Sequence, residues 1–152
     1  MNISDRVKSF GHSLPEVSSP GGNYVSVNKR GVIAYVAIQF PILNGKFLYQ
    51  GKFGASISDD DGMKAMELCA LNVIAQIDSK IGFDAIEGLN HFDAYYQSIA
   101  EWDNAPVVVN GASDLFVNVL EEKGQHSRAI FGVDRLPRNF CVGLTASFTL
   151  KG

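Results

Sequence analysis

The stretch Phe140-Cys141-Val142-Gly143-Leu144-Thr145-Ala146-Ser147-Phe148-Thr149-Leu150 decides the fold. Phe140, Val142, Leu144, Ala146, Phe148 and Leu150 alternate with Cys141, Gly143, Thr145, Ser147 and Thr149. Side chains of a strand point to opposite faces in turn, so this period of two predicts one apolar face and one small or polar face. An antiparallel sheet with helices on one side has that pattern. The small, polar face must then meet water or another subunit.

Just upstream, Asp134-Arg135-Leu136-Pro137-Arg138 reads as a turn, and Gln125-His126-Ser127-Arg128-Ala129-Ile130-Phe131-Gly132-Val133 as another strand. Arg128 stands out within it. A cation on a half-buried strand loses hydration unless an anion meets it. Its planar fork suits a carboxylate or phosphate held by two parallel hydrogen bonds. The partner is either an internal carboxylate, making a structural salt bridge, or a ligand.

Working back toward the N-terminus, a helix is expected from near Asn104 to Gly124, with Pro106 in its first turn and a stripe of Ala112, Leu115, Phe116, Val119 and Leu120. Ile86 to Tyr96 reads as a strand. The clearest helix runs from Asp59 to Lys80, capped by Ser58, with Asp59, Asp60 and Asp61 at its positive end and Gly82 as its stop. Met63, Met66, Ala70, Val73, Ile74, Ile77 and Ile81 form its apolar face. Val32 to Phe40 reads as a strand buried on both faces, ended by Pro41 and a tight turn at Asn44-Gly45. The order β-β-α-β-α-β-β predicts a two-layer α+β domain. The chain reads as a single domain over residues 1–152, with residues 1–23 a mostly irregular or extended arm.

The chain has 152 residues, 46% hydrophobic and 19% charged, a globular balance. Its formal net charge is -3 and its longest basic run is Lys29-Arg30, which argues against nucleic acid as a partner, since such binding rests on neutralising phosphates. Cys69 and Cys141 form no CxxC pair, and no Cys/His cluster has metal-ligand spacing, so free buried thiols and no metal are expected. The N-terminus has no apolar leader and no apolar stretch reaches membrane-spanning length. A soluble, cytoplasmic protein without cofactor is the expectation.

From Tyr24 to Leu150 the chain resembles the Rid family, the reactive-intermediate deaminases also called YjgF-like or endoribonuclease L-PSP. The matching pieces are Gly22-Asn23-Tyr24, Gln39-Phe40-Pro41, Cys69-Ala70-Leu71-Asn72, Asn110-Gly111-Ala112-Ser113-Asp114-Leu115, His126-Ser127-Arg128 and Arg135-Leu136-Pro137. The Asn110 and His126 segments resemble a divergent branch. The resemblance implies a chorismate-mutase-like two-layer sandwich, a mixed and mainly antiparallel sheet with two helices on one face. It also implies a homotrimer with ligand clefts between subunits. In the family, an arginine at the position of Arg128 grips the carboxylate of a 2-imino or 2-enamino acid, and Tyr24 and Asn110 match cleft-lining positions. Each has a plainer reading: Tyr24 as a boundary aromatic, Asn110 as a tie to local backbone.

The departures from the family matter as much. Aligned from Arg135-Leu136-Pro137, the glutamate that positions or activates water in imine-hydrolysing members falls at Thr145, and a carboxylate found two residues earlier in many members falls at Gly143. Threonine can hold a water but cannot take its proton near neutral pH. Ala37-Ile38-Gln39 stands where the family commonly has Ser-Gly-Gln. The resemblance thus implies a protein that binds a small 2-oxo or 2-imino carboxylate, with imine deamination left open. The alternatives are a non-catalytic metabolite-binding module and, from the family label, an endoribonuclease. His91 and Asp93 share a strand face and could interact; His126 lies beside Arg128 and could widen an anion site; His12 lies in the arm.

Overall fold

The computed structural model describes residues 2–152. In chain order it contains α1 (Ile3–Ser9), β1 (Val27–Arg30), β2 (Ile33–Gln39), β3 (Ile42–Leu43), β4 (Lys46–Phe47), α2 (Asp59–Lys80), β5 (Ile86–Gln97), α3 (Ala105–Leu120), β6 (Ser127–Val133) and β7 (Val142–Leu150). Five strands make one sheet in the order β1-β2-β7-β5-β6. Its neighbours are antiparallel except β5 and β6, which run parallel and are joined through α3. The sheet is therefore mixed and mainly antiparallel, with β7 at its centre and β1 and β6 as its two edges. α2 and α3 pack against one another over one face, burying Phe92, Leu144 and Phe148 of the sheet against Met66, Val73, Ala112 and Phe116.

The local chemistry explains these elements. The Ser58 hydroxyl accepts the Asp61 N–H at 3.1 Å, and three aspartates sit on the helix's positive end. At the far end Gly82 takes φ +98°, a left-handed conformation that glycine adopts without steric cost. Gly111 lets the two helices approach. A Cβ there would lie 2.3 Å from the Met63 carbonyl oxygen. The Asn44-Gly45 turn closes the β3–β4 hairpin with φ of 50° and 83°, the two positive values that such a tight turn requires.

One expectation is refined and two need correction. The first residues of the arm are helical: Asn2 Oδ1 accepts the Asp5 N–H at 2.8 Å, and Ile3 and Val7 are buried. Arg6 of α1 donates to the Asn118 and Val119 carbonyls at 2.8 and 3.3 Å, so a cation meets the negative end of α3. A third, short helix thus joins the two expected. Second, α3 ends at Leu120 rather than Gly124, because Glu121 turns to φ 58° and a 3-10 turn follows. Third, β2 is not buried on both faces. Its side chains alternate, and Tyr35 is 54% exposed, because the helices cover one side of the sheet alone.

Cys69 and Cys141 are free and buried. Burial pushes the Cys69 thiol well above its ordinary range and raises Cys141 to about 12. Among the described residues no helix is long and apolar enough to cross a membrane.

Candidate functional site

Arg128 lies on the edge strand β6, paired in register with Phe92, and its side chain reaches α3. Nη1 donates to Asn110 Oδ1 at 2.9 Å and to Ser113 Oγ at 3.2 Å; Nη2 donates to the Pro106 carbonyl at 3.1 Å. All three acceptors are neutral. Among the described residues Arg6 pairs with Glu121 and His91 hydrogen-bonds Asp93, and no carboxylate meets Arg128, so the internal salt-bridge alternative does not hold. A guanidinium has five N–H donors in a fixed fork; three are used here, which leaves two for a further acceptor.

Behind this fork lies a hydrogen-bond chain. The Gly124 carbonyl can only accept, so the His126 Nδ1 carries the proton it shares with that oxygen at 2.6 Å. His126 Nε2 then accepts from the Ser113 hydroxyl at 2.9 Å, and Ser113 Oγ in turn accepts from Arg128. The His126 ring packs on Phe92 and Phe116, with centroids 4.9 and 6.0 Å away. It therefore braces the arginine rather than widening an anion site. Asn110 faces Arg128 rather than its own backbone. Ser113, one turn beyond Asn110, was not expected; its i+3 spacing from Asn110 placed it on the same helix face.

Tyr24 stands elsewhere. It precedes β1 at the opposite edge of the sheet from β6, is 49% exposed, and accepts the Gly21 N–H at 3.1 Å. It lines a cavity of about 700 Å³ together with Ile38, Phe40, Phe47, Phe140 and Arg138. Phe40 stacks on Phe140 at 4.9 Å, and Phe47 meets the same ring edge-on at 5.2 Å. Buried Gln97 holds the loop that brings Pro137 and Arg138 into the lining of this cavity, although nothing in the sequence marked it. It accepts the Leu136 N–H at 2.7 Å and donates to Asn139 Oδ1 at 2.9 Å and the Gly51 carbonyl at 2.8 Å. Gln50 adds a bond to the Arg138 carbonyl at 2.7 Å. Together they hold Arg138 and Asn139 at φ 57° and 60°, a conformation that costs L-residues energy and persists where surroundings enforce it.

On β7 the two doubtful positions separate. Thr145 is half-buried on the face away from the helices, directly across from Asp93, and outside the cavity lining. Gly143 lies beneath the cavity wall: a Cβ there would come within 2.7 Å of Ile38 Cδ1 and 2.9 Å of Phe40 Cε1. Asp93 accepts from His91 Nε2 at 2.9 Å, which leaves His91 Nδ1 to accept the Ser127 hydroxyl at 2.7 Å. This chain crosses the parallel β5–β6 pair on the open face, opposite the side on which Arg128 reaches α3.

The chain thus joins Arg128 to Asn110 but separates both from Tyr24 and Thr145. The wider relationships agree with this architecture. Residues 4–148 match the model of the family described as "YjgF/chorismate_mutase-like, putative endoribonuclease". Protein TCP17 of Trypanosoma cruzi is 31% identical over 98% of this chain and 94% of its own length. A "putative endoribonuclease" from Shewanella oneidensis MR-1 superposes with TM-score 0.95 at 31% identity, covering 99% of this chain and 100% of that one. Atu1372 of Agrobacterium tumefaciens, described as of unknown function, has TM-score 0.92 at 32% identity, over 98% and 92%. With a matching fold and sequence over nearly its whole length, the chain belongs to the YjgF/chorismate mutase-like family.

Proposed function

We propose that the protein binds a small 2-oxo or 2-imino carboxylate in clefts between the subunits of a homotrimer, with the carboxylate held on Arg128. The observation that carries this reading is a half-buried guanidinium with no counter-ion, oriented by three neutral acceptors. Such a fork is fixed before the ligand arrives, so its two spare donors lose little freedom on meeting a carboxylate. The trimer supplies what one subunit lacks. Arg128 and Tyr24 occupy opposite edges of the sheet, and a closed ring brings the β6 edge of one copy to the β1 edge of the next. Free buried thiols suit a reducing compartment, and we assign the protein to the cytoplasm.

Hydrolysis of an imine by this site is slow or absent. Thr145 cannot accept a proton, and Gly143 carries no side chain, with Ile38 and Phe40 over the space one would enter. That favours binding over turnover, as in a module that senses or buffers a metabolite. A ribonuclease would need a cationic path for RNA, and a chain of net charge -3 gives that reading no support.

The test is calorimetric titration of 2-oxobutyrate into wild type, Arg128→Ala and Arg128→Lys, with light scattering on each. The expected result is a trimer throughout, and affinity at least about tenfold weaker in Arg128→Ala, from a charged hydrogen bond worth roughly 1.5–3 kcal/mol. Lysine should rescue in part, having the charge without the fork. Wild-type affinity in a folded Arg128→Ala trimer overturns the reading, as does a monomer at all concentrations.

A further inference from the structure

Resting on that carboxylate-binding reading, we infer that the occupant carries an aromatic ring, and that the cavity at the β1–β2 edge is the subsite for that ring. This chain's own residues line one side of the proposed cleft as a cavity. Ile38, Phe40, Phe47 and Phe140 make one apolar side of it, Glu16, Ser18, Gln39 and Arg138 are among the polar residues lining the rest, and its volume is about 700 Å³. Pockets of roughly 300–1,000 Å³ enclose ligands much larger than a four-carbon acid. A short 2-oxo acid would leave most of this space to water against hydrocarbon, whereas a phenyl or indole ring would fill it.

The wall is arranged for such a ring. Phe140 is 1% exposed, stacked by Phe40 at 12° and met by Phe47 at 64°, so this buried ring fixes the poses of Phe40 and Phe47, which carry the surface left for a ligand ring. Rings favour stacked and edge-to-face neighbours of this sort. Phe47 is 46% exposed despite its size, so an apolar surface faces the opening rather than the core.

Ile38 and Gly143 make this a property of the chain's own sequence. With glycine at 143, the Ile38 side chain and the Phe40 ring close over β7, so hydrocarbon lies where a longer residue at 143 would project. The same pair keeps this side of the cavity apolar. Arg138 lines the cavity as a cation, with Glu16 as an anion in the same lining, and its backbone is held at positive φ by Gln50 and Gln97.

The experiment compares phenylpyruvate with 2-oxobutyrate by calorimetry against wild type, Phe47→Ala, Ile38→Gly and Arg128→Ala. Wild type is expected to bind phenylpyruvate at least about tenfold tighter, from the apolar area a ring buries. Phe47→Ala should lower the phenylpyruvate affinity by roughly two- to tenfold, more than that of 2-oxobutyrate. Ile38→Gly, which opens the wall, should narrow the preference further. Equal affinities in wild type, or tighter 2-oxobutyrate, overturn the inference while leaving the carboxylate reading intact, provided Arg128→Ala weakens both. Failure of both ligands to bind wild type, or full binding by Arg128→Ala, overturns the carboxylate reading and this inference with it.

Discussion

The two edges of the sheet are built on opposite principles. At the β6 edge, Arg128, Asn110, Ser113 and His126 form a continuous hydrogen-bond chain from the Gly124 carbonyl to the guanidinium. At the β1–β2 edge, Ile38 and three phenylalanines wall a cavity and the central strand beneath it has no side chain at Gly143. One edge offers an oriented charge; the other offers shape and hydrocarbon. The difference teaches that holding a carboxylate and activating water are separable tasks in this fold. In the proposed reading the first is preassembled at Arg128, while Thr145 stands at the position of the second and hydrocarbon covers Gly143 two residues earlier.

The largest effect that could sharpen this contrast is a gain of chemistry. A positioned acid–base group contributes roughly 10² to 10⁴ in rate. The double variant Ile38→Gly/Gly143→Glu clears the wall and places a carboxylate beside the cavity, and it should raise hydrolysis of 2-iminobutyrate by about 10²-fold. Thr145→Glu should gain less, since its new charge would face Asp93 across the β5–β7 pair. A larger gain from Thr145→Glu, followed as imine disappearance, would break the comparison. Fast wild-type turnover unaffected by Thr145→Ala would break it too.

Next in size is a cost in stability. Gly143→Glu alone forces a side chain against Ile38 and Phe40 and should destabilise the fold by about 1–3 kcal/mol, as overpacking does. Denaturant unfolding measures this, and adding Ile38→Gly should recover much of it. An unchanged midpoint would mean that the wall is looser than its geometry implies. At the other edge, Ser113→Ala removes a hydroxyl bonded to both His126 and Arg128. Carboxylate affinity should fall severalfold without being lost, because Asn110 and Pro106 still orient the guanidinium.

The smallest effect concerns the buried thiols. Cys141 is raised from 9.0 to about 12 in the folded protein, and Cys69 is raised as well. A raised folded value means that the unfolded chain releases these protons first. Their contribution to stability is therefore complete below about pH 9 and is lost as pH climbs through the folded values. Unfolding free energy should decline across that window, and native protein at pH 8 should react with a thiol reagent slowly and much faster once unfolded. Rapid labelling of the native thiols would contradict their burial.

The fold was legible because its signals are local. The alternation from Phe140 to Leu150, the Ser58 cap, Gly82 and Asn44-Gly45 each act within a few residues, and each element lies where they place it. The short helix α1 was hidden because seven residues cannot sustain a helix on propensity; it forms by burying Ile3 and Val7 and tying Arg6 to α3. The apparent two-sided burial of β2 failed for a tertiary reason, since sequence cannot tell which face receives a helix. Arg128 and Asn110 were legible, and their contact was not. Gln97 and the wall over Gly143 were invisible because they depend on residues about 40 to 100 positions apart meeting in space.

The most direct measurement of the central claim is a crystal structure of the protein soaked with a 2-oxo acid. The account predicts a trimer with the carboxylate in hydrogen-bond contact with the Arg128 guanidinium of one copy, and the rest of the ligand in the Tyr24-lined cavity of its neighbour. A carboxylate bound away from Arg128, or a ligand held entirely within one protomer, would contradict it.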